Sequence, residues 1–393
     1  MSNRKISETI PIAPLKIIAL ENIKELGEKV NQYIVNSRHN TLSKNPSSPI
    51  YLGYQNDSYL VDYTLPRFGT GEAKAVINET IRGTDLFIIA DVMNYSNMYH
   101  MFEEDNHKSP DDHFQDLKRV IAAAKISKAK RINVIIPFLY ESRQHRRDKL
   151  ESLDCALALQ ELSQMGVENI ITFDAHDARV QNAIPIRGFD NFFTSYQFVR
   201  DLLRYVPDIK IEKQHLMMIS PDEGGMTRAV YYANVLGIEM GMFYKRRDYS
   251  TIVDGRNPIV SHEFLGSSVE GKDVFIVDDM ISSGDSILEV AAELKKRKAA
   301  RVFIGATFGL FCNGLERFDK AYEEKVFDRI FTTNLVYNPP ELLNKPYYNN
   351  VDLHRYLSLI IESLNHDTSI NDIISHPALI KELLDEHNKK TNA

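Results

Sequence analysis

The stretch Val274-Phe-Ile-Val-Asp-Asp-Met-Ile-Ser-Ser-Gly-Asp-Ser286 decides how this chain is read. Its four leading apolar residues have the length and branching of a buried strand. Asp278 and Asp279 follow at the carboxyl end, and Ser282, Ser283, Gly284, Asp285 and Ser286 form a small, hydroxyl-rich loop that leads into a helical pattern. Such a loop aims backbone N–H groups and hydroxyls at one point, in front of the positive end of a helix dipole. A phosphate monoester fits there. The paired acids cannot hold the phosphate; they suit ribose hydroxyls or a metal. The alternative is a plain turn with Ser286 as a helix N-cap, which leaves two adjacent carboxylates without a reason.

Outward from this loop, short apolar strands alternate with amphipathic helices, the pattern of a parallel α/β sheet. In the second half, strands are expected at 214–220, 239–244, 273–277, 301–307 and 330–333, with helices at 227–236 and 286–298. In the first half, strands are expected at 15–20, 59–65, 86–90, 132–137 and 169–173. Helices fall near 23–34, at 114–127 and at 152–165, the last started by a Ser152 cap. Residues 37–57, rich in Ser, Asn and Pro, read as an exposed loop or insertion. The expected fold is α/β, two similar halves joined near 206–213, each a parallel-type sheet flanked by helices. The end of the chain is polar and expected to fray.

Composition narrows the function classes. At 393 residues, two domains are the natural expectation. Apolar residues at 43% and charged residues at 26% describe a globular protein with a sizeable core. The net charge of -7 is spread along the chain, which argues against a nucleic-acid binder. Cys155 and Cys312 are far apart and read as buried free thiols. No run has the length of a membrane span, and Met1–Leu15 lacks the apolar core of a secretory signal. A cytoplasmic protein is expected.

In parallel sheets, ligands bind beyond the carboxyl ends of the strands, so the residues after each strand carry the argument. Ser220-Pro-Asp-Glu-Gly-Gly-Met-Thr-Arg228 offers Asp222 as a contact and paired glycines for close backbone approach. Lys245-Arg-Arg-Asp248 is a short basic run at the same edge, and the long segment 247–271 that follows has the character of an active-site lid. Arg143-Gln-His-Arg-Arg-Asp-Lys149 and Asp174-Ala-His176 follow strands of the first half. Taken singly, each basic run could be a solvated loop and His176 a structural histidine.

Together, and in this order, the motifs resemble those of the ribose-phosphate diphosphokinase family, built on the type I phosphoribosyltransferase fold. The resemblance runs from about Leu15 to Ile374. It implies a phosphoribosyltransferase-like domain at 13–206 on the ATP side, containing the 37–57 insertion and preceded by an extension at 1–12. A second such domain at 207–374 would carry the ribose 5-phosphate site and the catalytic loop, with a polar tail at 375–393. By this resemblance Lys245 and Arg247 are catalytic. Arg143, Gln144, Asp148 and His176 contact ATP, Arg143 as a bidentate phosphate fork. Phe68, Thr70 and Glu72, in Arg67-Phe-Gly-Thr-Gly-Glu72, cover the adenine across a subunit interface. Asp222, Asp278, Asp279 and the loop 282–286 bind ribose 5-phosphate. His176, Asp222, Asp174 and Asp190 stand on the metal side, with Mg2+ as the cofactor.

The implied reaction moves the β,γ-diphosphoryl group of ATP to the C1 hydroxyl of ribose 5-phosphate, in a homo-oligomer, a dimer or a hexamer built from dimers. Phosphate or nucleoside diphosphates are conceivable effectors; nucleic acid and membrane are not expected partners. Thr70 stands where the family carries an amide or acid, which leaves base selectivity open. Ser282 stands where it carries Asp, which leaves the acceptor open. A different 5-phosphorylated ribosyl acceptor, a silent regulatory paralogue and an ordinary phosphoribosyltransferase are the alternatives.

Overall fold

The structure is a computed structural model and describes residues 9–44, 53–247, 259–371 and 376–391. It divides into two compact units. The first comprises the described residues of Met1–Phe193, Asn334–Tyr337 and Asp352–Ile374, and the second those of Thr194–Thr333, Asn338–Val351 and Ser375–Ala393.

In the first unit the chain runs through β1 (Leu15–Ala19), α1 (Lys24–Lys44), the short strands β2 (Tyr63–Thr64) and β3 (Val76–Ile77), and β4 (Asp85–Ile89). A hairpin of β5 (Met98–Met101) and β6 (Glu104–His107) precedes α2 (Pro110–Ile126). Then come β7 (Arg131–Ile135), α3 (Asp154–Gln164), β8 (Asn169–Phe173) and β9 (Gly188–Phe192). The main sheet has the order β1-β4-β7-β8-β9, all parallel. Its interior strand β4, Asp-Leu-Phe-Ile-Ile, is buried throughout, which is why its Leu86–Ile89 reads as a continuous apolar run. Helix α2 begins at a reciprocal capping box between Ser109 and Asp112, with Pro110 in the first turn.

The second unit contains α4 (Ser195–Tyr205), β10 (Leu216–Ser220), α5 (Met226–Leu236), β11 (Glu239–Arg247), β12 (Ile259–Leu265), β13 (Asp273–Ile281) and α6 (Asp285–Lys296). It continues with β14 (Val302–Gly309), α7 (Glu316–Glu323), β15 (Arg329–Thr333), α8 (Pro340–Leu343) and β16 (Tyr348–Val351). Helix α9 (His354–Asn365) returns to the first unit, and α10 (His376–Thr391) belongs to the second. The sheet order is β12-β11-β10-β13-β14-β15-β16, parallel except for the β11–β12 pair. From β10 the chain builds outward to β11 and β12, then returns to the other side of β10 with β13. That reversal places the switch point between β10 and β13, where ligands bind in such sheets.

Several expectations change. Residues 37–44 are the last turns of α1, not loop; residues 45–52 lie outside the described ones. What holds this part of α1 is Arg38, only 2% exposed, which bonds Glu362 at 2.9 Å and Asn365 at 2.8 Å and lies over the rings of Tyr54 and Tyr59. The same contacts explain why residues 352–374 join the first unit, whereas the sequence placed them in the second domain. The boundary near 206 also moves, to 193/194, because α4 packs within the second unit. Part of the polar tail is helix α10, anchored by Ile380, 1% exposed, and by His387 bonding the carbonyl of Ile209 at 3.0 Å. Of the segment 247–271 expected as a lid, Arg247 ends β11, Ile259–Leu265 form β12 and turns follow to Gly271; residues 248–258 lie outside the described ones. Ser152 does not cap α3; its hydroxyl bonds Asp154 at 2.7 Å, and Leu153 occupies the N-cap. Cys155 is buried, but Cys312 is exposed, since it lies beyond the end of β14.

Candidate functional site

The second unit presents a site at its switch point. Ser220 ends β10, and its hydroxyl donates to the carbonyl of Asp222 at 2.7 Å, folding the following loop back on itself. Asp222 in turn accepts the N–H of Gly225 at 3.1 Å. Gly225 is required here: a Cβ would lie 2.9 Å from the Ser220 hydroxyl. Across the switch point, β13 carries Asp278 and Asp279 in its last turns of pleat. Asp278 accepts the N–H of Asp279 at 2.9 Å, and Asp279 that of Met280 at 3.0 Å. Burial pushes the Asp278 carboxyl well above the usual carboxylate range, and the adjacent Asp279 charge adds to that. Arg228, from the first turn of α5, opposes the rise from 3.7 Å. Arg228 was not among the residues singled out in the sequence; one helical residue carries no sign that it will face an acid fifty positions away.

The loop after β13 is built for close approach. Gly284, at φ 89, is the N-cap of α6 and makes no side-chain cap bond. Its conformation is left-handed, and a Cβ would lie 2.2 Å from the ring of the buried Phe318. Ser283 accepts the N–H of Asp285 at 3.4 Å, and Asp285 pairs with Arg317. The Ser282 hydroxyl is 3.7 Å from the thiol of Cys312, whose N–H bonds the Ser282 carbonyl at 2.9 Å. Ser286 is exposed on the first turn of α6. A helix N-terminus ringed by hydroxyls, next to two acids, can hold a phosphate and orient a polyol attached to it.

Lys245 and Arg247 are in β11, where their backbones pair with His262 and Ile259 of β12. Their side chains lie outside the described residues.

In the first unit, the loops after β7 and β8 come together. Arg143, Gln144 and Asp148 are exposed, and a turn between Glu141, at φ 56, and the Gln144 N–H shapes the first loop. Asp148 lies 3.8 Å from Arg146. His145 reaches the second loop: its Nε2 is 3.6 Å from Asp177, and its ring is 5.4 Å from that of the exposed His176, centroid to centroid. Arg179 holds the Asp177 carboxyl down to about 2, well below the usual range. Asp174, nearly buried, turns the chain at φ 43 directly after β8. His145 was read only as part of a basic run.

Asp190 is not brought to this group. It lies within β9 opposite Ile171 and accepts a hydrogen bond from Asn169 at 2.6 Å, toward the amino end of β8. Position in sequence after a strand could not reveal that β9 would carry it back along the sheet.

Phe68, Thr70 and Glu72 lie on one tight loop. The Phe68 N–H bonds the Glu72 carbonyl at 2.7 Å, and the Thr70 hydroxyl donates to Glu72 at 3.1 Å. Phe68 is 51% exposed. Arg67 fixes the loop from beneath, with bonds to Asp116 at 3.2 Å and to the Gly71 carbonyl at 2.9 Å.

Among the described residues, no three His, Cys, Asp or Glu side chains converge as a metal cage. A separate cleft of about 290 Å³ lies at the amino ends of β14 and β15, the edge opposite the loop 282–286. It is lined by Arg301, Asp328 and Arg329 among others. Arg301 is neutralised there by Asp208 and Asp273, so this cleft has no clear charge preference. No described helix is long and apolar enough to cross a membrane.

Comparison with known proteins agrees with this layout. Residues 15–166 match the model of the N-terminal domain of ribose phosphate pyrophosphokinase, and residues 195–343 that of the phosphoribosyl transferase domain. A ribose-phosphate pyrophosphokinase of Pasteurella multocida is 29% identical over 333 residues, covering 84% of this chain and 94% of the relative. One from Chlorobaculum tepidum is 29% identical over 325 residues, 82% of this chain and 84% of the relative. The crystal structure of phosphoribosylpyrophosphate synthetase from Mycobacterium smegmatis superposes with a TM-score of 0.69 at 19% identity. It covers 90% of this chain and 99% of that one, a likeness of fold.

Proposed function

This chain belongs to the ribose-phosphate pyrophosphokinase family, and from that premise we propose that it transfers the β,γ-diphosphoryl group of ATP to the C1 hydroxyl of ribose 5-phosphate. The products are phosphoribosyl diphosphate and AMP. The observation that carries the reading is the start of α6 beside Asp278 and Asp279, at the switch point of the second sheet.

In this reading the loop 282–286 holds the 5-phosphate through backbone N–H groups and hydroxyls. Asp278 and Asp279 accept hydrogen bonds from the ribose hydroxyls, and Asp222 steadies the sugar. Arg143, Gln144 and Asp148 place the nucleotide phosphates and sugar, and Phe68, Thr70 and Glu72 take the base. Mg2+, carried by ATP, supplies charge neutralisation when bound; His176 and Asp174 would hold it on the nucleotide side and Asp222 on the sugar side. The C1 oxygen forms its bond to the β-phosphorus as the bond to the α-phosphate oxygen breaks, and AMP leaves with that oxygen. Lys245 and Arg247 balance the charge that spreads over the transferring oxygens, which in such transfers matters more than covalent chemistry. A homo-oligomer working in the cytoplasm, with phosphate or nucleoside diphosphates as effectors, belongs to the same reading.

The test is AMP formation from Mg-ATP by the purified chain, with and without ribose 5-phosphate. Ribose 5-phosphate-dependent AMP, matched by phosphoribosyl diphosphate, is expected. Folded protein that forms AMP only with another 5-phosphorylated ribosyl compound would move the assignment to that acceptor. No AMP with any acceptor would refute catalysis.

A further inference from the structure

The hairpin β5–β6 breaks a rule of turn chemistry at a position next to the loop that the proposed function assigns to the base. Its strands pair from Met98 with His107 to Met101 with Glu104, so the connection is the two residues Phe102 and Glu103. Both lie in the left-handed region, at φ 49 and φ 65. A two-residue turn of this kind strongly favours Asn-Gly, because L side chains pay for positive φ at both positions. This chain instead puts a large aromatic ring and a carboxylate there. The ring gains nothing from packing, since Phe102 is 72% exposed. A strained tip that displays an unburied aromatic is the signature of a residue retained for what it contacts.

What lies beside it is known. The Phe102 N–H bonds the carbonyl of Gly69 at 3.0 Å, directly after Phe68, itself 51% exposed. The rest of the hairpin clamps the same loop. The Arg67 guanidinium lies 4.3 Å over the Tyr99 ring, and the Met101 sulfur lies 2.5 Å from where a Cβ on Gly71 would be. Two exposed aromatic side chains are therefore carried on backbones joined by one hydrogen bond and fixed from below.

We propose that Phe102 is a second aromatic contact for the nucleotide base, acting with Phe68, and that the β5–β6 hairpin is the platform that holds both. This rests on the assignment of the Arg67–Glu72 loop to ATP. A stacking contact is indifferent to the base's hydrogen-bonding edge, so it grips a purine without the amide or acid that Thr70 lacks. The hairpin thereby supplies affinity for the base, and discrimination between bases is left to Thr70 and Glu72.

The chain contains no tryptophan, so Phe102→Trp introduces a single reporter. Its emission should change on titration with ATP or adenosine and stay flat with tripolyphosphate, which has no base. Two further variants separate contact from strain. Glu103→Gly relieves one left-handed residue and keeps the ring; ATP affinity measured at equilibrium without ribose 5-phosphate should hold. Phe102→Asn with Glu103→Gly installs the favoured turn, so the hairpin should be at least as stable. It should nevertheless weaken ATP binding about fivefold or more, the scale of one lost base–aromatic stack, and binding of tripolyphosphate should not change. Emission deaf to ATP, or unchanged ATP affinity in the Asn-Gly variant, in a protein whose wild type forms AMP, overturns the role of Phe102 alone. The same null results in a protein that forms no AMP overturn the nucleotide assignment with it.

Discussion

Replacing Gly284 by alanine is expected to damage the loop 282–286, proposed to hold the 5-phosphate, through two separable effects. The first is the backbone: Gly284 sits at φ 89, where an L residue costs about 1–2 kcal/mol. The second is space. The new methyl would lie 2.2 Å from Cζ and 2.6 Å from Cε2 of Phe318, well inside contact distance. That ring cannot swing aside, being fully buried and packed edge-on against Phe311 at 5.0 Å between centroids. Forcing a methyl into such a contact costs about 1–3 kcal/mol. Together the loop should be displaced at a cost of about 2–5 kcal/mol, and even the lower figure corresponds to roughly a thirtyfold loss in the population of the binding-competent loop. The assay is the KM for ribose 5-phosphate at saturating ATP, with equilibrium ATP binding as the control. A large rise in the first and no change in the second are expected. Phe318→Leu in the Gly284→Ala background makes room but leaves φ strained, so it should restore part of the loss. A Gly284→Ala enzyme with the wild-type KM for ribose 5-phosphate would refute the reasoning, because neither the conformation nor the contact would then matter to binding.

Arg38→Ala strips the buried Glu362 of its partner, 2.7 Å away, and should destabilise the first unit by about 3–5 kcal/mol in chemical denaturation; Arg38→Met with Glu362→Leu, which removes both charges, should recover most of it. Asp91 is wholly buried, accepts the N–H groups of Met93 and Tyr337 at 2.8 and 2.7 Å, and is pushed up to about 7 by desolvation. Its carboxyl keeps the proton longer when folded than when unfolded, so its contribution to stability is full below about pH 4 and falls as pH rises from there to about 7. Asp91→Asn should flatten that part of the stability–pH curve, and an unchanged slope would show that Asp91 does not titrate there. Lys245→Ala should lower turnover by about 3 kcal/mol or more, the weight of one preorganised donor, with ribose 5-phosphate binding largely kept; wild-type turnover would remove Lys245 from the catalytic role.

The local grammar of this chain was legible because it is written in short segments. Strand β8 is where its apolar run puts it, and β4, β10 and β13 are within a few residues of theirs, since strands buried on both faces leave a continuous apolar signature. The strand–loop–helix geometry of Asp278, Asp279 and 282–286, proposed above as the phosphate site, was legible for the same reason: it is built from consecutive residues and the start of one helix. Polarity misled where burial was tertiary. The Ser- and Asn-rich stretch 37–44 continues a helix because Arg38 finds Glu362 and Asn365 more than three hundred residues away, and the polar end of the chain forms α10 because Ile380 finds an apolar site.

What the sequence by itself determined is which residue types stand at strand ends and in which order, and with them the family. Only the tertiary structure decided which of those residues meet. It put Arg228 against Asp278, His145 against His176 and Asp177, and carried Asp190 back toward Asn169. It also gave Phe102 its place beside Gly69. Backbone propensity is local and can be read along the chain. Side-chain pairing depends on strand order and register, which are fixed only when distant segments bury their apolar faces against one another.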